Sequence, residues 1–386
     1  MAEAGVYKRS LGLFELVSLG VGGTIGSGIF VVPGVAAKLS GPWSLLAWLI
    51  VALSASCVLL SLAYVSFRFT SSNGFYSLFT SVFGARFAVP LIILYLISSL
   101  FGVSTIAAGI GQYISYFGIS NVLLIEIAII GAFCWLNISG ISLSGMTENI
   151  LTTLKIIPLV IIAFLLIPLI NIDNFVPRTP VTYTGLLATI IIVYWPFTGF
   201  EISAILVEET RDPKIIRRSL ILVMVIVVSV YLLLNVSLIG SVGAEALGAS
   251  PAPIATAAAV LFNRSGSFVA IIGIVAMLSA INAYIIGTSR ILQSMSAWFS
   301  VPKIQNLTPQ GTPKSALIAG CAISAALLLF SNHFDQLATI SVITILIPYI
   351  FFCLCSWVLV TDTRSRLVSA AGAISTAAIL VIYFII

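Results

Sequence analysis

The chain reads as an all-α membrane protein of about eleven spans, two groups of five with one further helix, and three observations predict this. Hydrophobic residues fill 60% of the 386 positions and charged residues 8%, whereas a soluble domain carries about a quarter charged residues; the mean hydropathy is +1.20. Apolar runs follow one another from end to end, without the short alternating segments of a barrel. Two runs are broken at depth by Gly and Pro, at Gly22-Gly23-Thr24-Ile25-Gly26-Ser27-Gly28-Ile29-Phe30 and at Trp195-Pro196-Phe197-Thr198-Gly199-Phe200-Glu201. Each break opens a group of five, and an odd number of spans per group inverts the second copy in the membrane.

Apolar runs read against charged punctuation give spans near 12–37, 42–67, 83–117, 121–138, 142–168, 183–207, 218–242, 265–297, 314–331, 335–360 and 366–386. The first follows Lys8 and Arg9. Its five glycines between Gly20 and Gly28 make a poor signal-peptide core, so it reads as a span. The third and eighth exceed a bilayer's need and should tilt or project. Lys155 and Pro158 fall in the fifth, and the sixth ends at Glu208-Glu209-Thr210-Arg211-Asp212-Pro213. The whole is one transmembrane domain, with repeats at roughly 10–170 and 180–360 and an extra helix at 366–386.

The net charge of +5 resembles a nucleic-acid signal, but its distribution sets orientation instead. A cytoplasmic N-terminus puts Lys8, Arg9, Arg68, Arg86, Arg211, Lys214, Arg217, Arg218, Arg290, Lys303, Lys314, Arg364 and Arg366 inside, and only Lys38, Arg178 and Arg264 outside. The five cysteines lie within apolar runs without ligand spacing, and His333 is the single histidine. No metal or cofactor is expected. No P-loop, HExxH motif or nucleophile elbow is present, so an enzyme is not expected either.

Backbone freed at bilayer depth is tolerated where it lines a cavity. At Thr24, Ile25, Gly26, Ser27 and Gly28 the glycines let a ligand approach the backbone, and the N–H groups opening the outer half-helix suit a carboxylate. A GxxxG packing face from Gly22 to Gly26 is the structural alternative. At the second break, Trp195, Phe197, Thr198, Gly199 and Phe200 offer rings and carbonyls to an ammonium group and an apolar side chain. Either large ring, Trp195 or Phe200, could equally be packing. Glu201 is an intramembrane acid, which normally faces a cavity or a partner. It could shuttle a proton, pair with a base, or bond freed backbone donors.

Lys155 is the sharpest single residue. Inserting a lysine at that depth costs about 2.5–3.5 kcal/mol. A buried lysine can release its proton and so carry one. Alternatively, its ammonium stands permanently in place of a sodium ion against carbonyls of the first break. Glu126, in the fourth span, has no partner that the sequence names.

Together these motifs resemble the amino acid–polyamine–organocation superfamily of secondary transporters. The likeness rests on Gly26-Ser27-Gly28-Ile29-Phe30 with Pro33, on Phe197-Thr198-Gly199-Phe200-Glu201 followed by Glu208-Glu209, and on Ser279-Ala280-Ile281-Asn282-Ala283 with Ser289-Arg290 and Gly311-Thr312-Pro313. It extends over residues 10 to 360. The resemblance implies a five-plus-five inverted-repeat (LeuT-type) fold, alternating access, carboxylate binding at Thr24 to Gly28 and amine binding near Trp195 to Thr198. It also implies a gating aromatic at Trp195 and a lysine replacing sodium at Lys155, with Ser279 opposite. After the second span the chain departs from the family, with Ala63-Tyr64-Val65-Ser66 and Thr70-Ser71-Ser72-Asn73-Gly74, and twelve spans are commoner there. The expected protein is a plasma-membrane amino-acid transporter, a proton symporter, whose partners are an amino acid, protons and membrane lipid. An amino-acid or amine exchanger, and a non-transporting sensor, are the alternatives.

Overall fold

A computed structural model describes residues 11–66, 74–139, 145–177, 180–205, 210–212, 214–262, 266–296, 304, 306–308 and 312–385. Lys8, Arg9, Arg68, 70–73, Arg178, Glu208, Glu209, Pro213, Arg264, Lys303 and Gly311 lie outside the described residues.

The first span is two helices, α1 (Leu13–Thr24) and α2 (Ser27–Ser40), separated at Ile25 and Gly26. There follow α3 (Ser44–Val65), α4 (Gly74–Phe83), α5 (Ala85–Ser115), α6 (Leu123–Ile138) and α7 (Gly145–Leu166). The sixth span is α8 (Tyr183–Tyr194), a 3-10 turn over Trp195–Phe197, and the short α9 (Ile202–Ile205). Then come α10 (Ile215–Val242), α11 (Ala244–Gly248), α12 (Pro253–Phe262), α13 (Ser267–Ser296), α14 (Lys314–Phe330), α15 (Phe334–Leu359) and α16 (Thr363–Ile385). Among the described residues there is no strand, only an isolated bridge from Leu11 to Thr210.

Among the described residues, seven helical stretches are long and apolar enough to cross a bilayer. The first, Leu13–Val65, holds two passes, and the shorter α6, α8 with its continuation, and α14 complete the bundle. Three helices among the described residues fall outside the expected spans. Of these, α4 and α12 have 10 residues each, about 15 Å, too short to cross. Hydropathy windows tuned to a bilayer miss them. α4 is held by its aromatic face, Phe75 and Phe79 lying 4.8 Å from Phe352 on α15.

The 31 residues of α5 run through the centre against α13, α14 and α15. α1 packs on α7, α10 and α13, and α2 packs on α8 and α11. In lipid no hydrophobic force drives helices together, so small residues and hydroxyls do that work. The last helix shows it. Ser54 on α3 meets Ser375 at 2.9 Å, Ser61 donates to Ser369 at 3.2 Å, and Ser369 donates to Ser356 on α15 at 2.8 Å. This hydroxyl ladder holds α16 on α3 and α15.

Candidate functional site between two broken helices

α1 ends because Ile25 leaves the helical region (ψ 84) and Gly26, at φ −136 and ψ −139, lies outside it too. The new helix then starts at Ser27 with no side-chain cap. Its first N–H groups therefore lack the usual partner, and the positive end of its dipole adds to them, which is an anion-binding arrangement. At the second break Pro196 lies in the 3-10 turn, Thr198 is extended (ψ 157), and Gly199 takes φ +91, a conformation that side chains with a Cβ avoid.

The two breaks touch. A Cβ on Gly28 would stand 2.5 Å from Cα of Pro196, so only glycine permits this approach. Between them lies a chamber lined by Gly23, Thr24, Gly26, Ser27, Gly28, Ile106, Trp195, Thr198 and Tyr284. Its volume is about 10 Å³, the size of one water.

Side-chain donors bond to carbonyls in and beside the breaks. Lys155, 1% exposed, donates from Nζ to the Gly22 carbonyl at 2.8 Å and to Ser279 Oγ at 3.1 Å, joining α7 to α1 and α13. One turn earlier, Thr152 donates to the Ser18 carbonyl at 3.0 Å. Tyr231 on α10 places its hydroxyl 2.9 Å from both the Thr24 and the Pro196 carbonyl, one from each broken helix. Thr198 donates from Oγ1 to Trp195 O at 2.8 Å.

Contacts close the chamber on both sides. Trp195 Nε1 donates to Ser27 Oγ at 3.2 Å across the gap, and beyond it Tyr113 on α5 donates to the Phe30 carbonyl at 2.8 Å. On the other side Glu201, 3% exposed, accepts from Tyr95 at 2.8 Å and from Tyr349 at 2.9 Å. These hydroxyls tie the end of the second break to α5 and α15. Farther on, Arg211 N–H donates to the Leu11 carbonyl at 2.9 Å, joining the start of α1 to the segment after α9.

Of the residues singled out in the sequence, Thr24, Gly26, Ser27, Gly28, Trp195 and Thr198 line the chamber together. Gly199 and Glu201 line a second cavity beside it. Ile25 is buried outside the chamber's lining. Phe197 packs on Trp48 and Tyr231, and Phe200 stacks on Tyr349; both rings face an apolar hollow with Ala55, Leu59 and Val227 instead. Glu15 caps α1 by accepting from Gly12 N–H at 2.9 Å. Glu126 is buried against Gly111, with Oε2 unpartnered. Tyr95, Tyr231, Tyr284 and Tyr349 escaped the sequence reading. Each is a lone hydroxyl in an apolar run, and its partners lie on other helices. A larger cavity, about 670 Å³, lies elsewhere, among the end of α2, the segment before α8, and α11.

The profile of the family described as "Amino acid permease" matches residues 11–386. Inner membrane transport protein YbaT of Escherichia coli is 25% identical over 355 residues, covering 89% of this chain and 82% of its own. The serine/threonine exchanger SteT of Bacillus subtilis is 26% identical over 367 residues (89% and 81%), and the L-methionine/branched-chain amino acid exporter YjeH of Escherichia coli is 24% identical over 374 (95% and 89%). The crystal structure of MhsT in complex with L-phenylalanine superposes with a TM-score of 0.72 at 14% identity, covering 98% of this chain and 99% of that one. That likeness establishes the five-plus-five fold with broken first and sixth helices. Family and fold alike are those of membrane transporters, not enzymes. The chain belongs to the amino acid permease family of multi-pass membrane transporters.

Proposed function

We propose that the protein moves an amino acid across the plasma membrane by alternating access, as a proton symporter. The observation that carries the reading is the direct contact of the two breaks, Gly28 against Pro196, around one chamber. This sets the uncapped N-terminus of α2 opposite the terminal carbonyls of α8 and its turn. A zwitterion needs both, N–H groups for its carboxylate and carbonyls for its ammonium.

Transport requires the chamber to open on each side in turn. The Trp195–Ser27 bond and the Glu201–Tyr95–Tyr349 cluster are the contacts that would break alternately. Lys155 is the coupling group in this reading. It bonds the first broken helix to α13, so loss of its proton would loosen α1 just where the helix must move. The exchanger reading keeps Lys155 permanently charged. SteT, an exchanger, and YjeH, an exporter, are relatives of similar identity, which keeps both modes in view.

Counterflow in proteoliposomes tests the reading. Uptake of at least one of the twenty amino acids, driven by an acid-outside gradient, is expected. Uptake strictly dependent on internal substrate selects exchange. Binding without flux selects a sensor.

A further inference from the structure

Thr198 and Tyr284 line the substrate chamber and also a second cavity, of about 20 Å³, on the Glu201 side. Their hydroxyls share a hydrogen bond at 3.0 Å along this common wall. The Tyr284 ring is fixed from behind, because a Cβ on Gly102 would stand 2.5 Å from its Cε1. From the other side a Cβ on Gly199 would stand 3.0 Å from its hydroxyl. One ring and one hydrogen bond therefore divide two spaces.

The space behind has a definite chemistry. Ile291, Ile345 and Gly287 form an apolar stretch, and a Cβ on Gly287 would meet nothing within 4 Å, so the room is real. Ser99, Glu201 and Thr288 supply polar atoms. Thr288 is 3% exposed and its Oγ1 has no hydrogen-bond partner, which in a buried site calls for a ligand or water. The Glu201 carboxylate receives a tyrosine hydroxyl on each oxygen and backbone N–H groups of Gly199 and Glu201 as well, so it meets the cavity as an acidic group held in place. None of the described residues lining the cavity is basic.

We propose that Tyr284 and Thr198 are a partition confining the substrate's side chain to the first chamber. The cavity behind it is a subsite whose chemistry fits an ammonium group on an aliphatic stem. The proposal rests on the amino-acid reading above and deepens it: this chain takes short side chains, and opening the partition admits long cationic ones.

The test is counterflow of alanine, norleucine and lysine by wild type, Tyr284→Ala, and Tyr284→Ala with Gly287→Leu. Norleucine has lysine's stem without the ammonium. Wild type is expected to carry alanine and neither long side chain. Tyr284→Ala should raise the lysine-to-alanine ratio by about ten-fold, with lysine ahead of norleucine, and adding Gly287→Leu should remove that gain. Should Tyr284→Ala not be recovered as a folded protein, Tyr284→Phe deletes the shared bond alone and is compared in the same way. An unchanged ratio in whichever variant folds overturns the partition, as does wild-type transport of lysine. A gain shared equally by norleucine overturns the ammonium subsite. If wild type moves no amino acid at all, the transporter reading itself fails, a result distinct from these.

Discussion

Tyr231 has one phenolic proton and two carbonyls within reach, one on each broken helix, and its ring is fully buried. It fastens the two broken helices to each other. Tyr231→Phe keeps the ring and removes this donor from both carbonyls; Thr24 O keeps the Gly26 N–H, and an unmet buried polar group costs about 1–3 kcal/mol. The expected result is a lower Tm and a turnover reduced by about ten-fold, a change of about 1.4 kcal/mol in the barrier; wild-type turnover would show that the clamp is incidental. Lys155 makes the same kind of bond with a charge on it. Lys155→Ala should abolish accumulation driven by an acid-outside gradient. Retained accumulation would remove Lys155 from coupling, and loss of accumulation with exchange intact would place it there. Of these residues the sequence disclosed Lys155 and not Tyr231. A charge in an apolar run is conspicuous, whereas tyrosine is ordinary there, and this one acquires its role only when carbonyls far away in the chain arrive beside it.

At the scale of elements, hydropathy located the spans because in lipid each helix must satisfy its own backbone. The expected span 218–242 is α10 (Ile215–Val242), and the expected 335–360 is α15 (Phe334–Leu359). Both breaks were legible too, since clustered Gly and Pro at bilayer depth have few other uses. Which side chains face the chamber was not legible. The backbone turns sharply at Thr198 and Gly199, so helical periodicity no longer assigns faces, and Phe197 and Phe200 point into packing while Trp195 and Thr198 point inward. The approach of the half-helices can be tested by adding one carbon. Gly28→Ala sets a Cβ 2.5 Å from the backbone of Pro196, which cannot yield as a flexible side chain would. Transport should fall at least about ten-fold while the protein stays folded, as geometry lost near a reacting or binding centre does. Gly131→Ala is the control, since Gly131 lies in α6 with open space around its Cβ position. Transport there should match wild type, and equal activity in both variants would mean that the breaks need not touch.

For the whole molecule, charge and closure point along the same axis. Among the described residues, Arg86, Lys214, Arg217, Arg218, Lys314, Arg364 and Arg366 lie at helix ends on one side of the bundle, with Arg290 toward the end of α13, and Lys38 lies at the other. Basic residues are retained on the cytoplasmic side, so the Glu201 closure would face the cytoplasm and the Trp195–Ser27 closure the exterior. The prediction is a labelling pattern. Asn332 and Thr361 are exposed residues on either side of α15, one before it begins and one after it ends. In whole cells a membrane-impermeant maleimide should label Asn332→Cys, and it should reach Thr361→Cys only after permeabilisation. Of the native thiols, Cys134, Cys321, Cys353 and Cys355 are buried and Cys57 is half-buried, so the parent protein supplies the background. The reversed pattern would invert the molecule and exchange the two closures. The Glu201 cluster would then guard entry from outside, and an acid-outside gradient would meet Glu201 before it met Lys155.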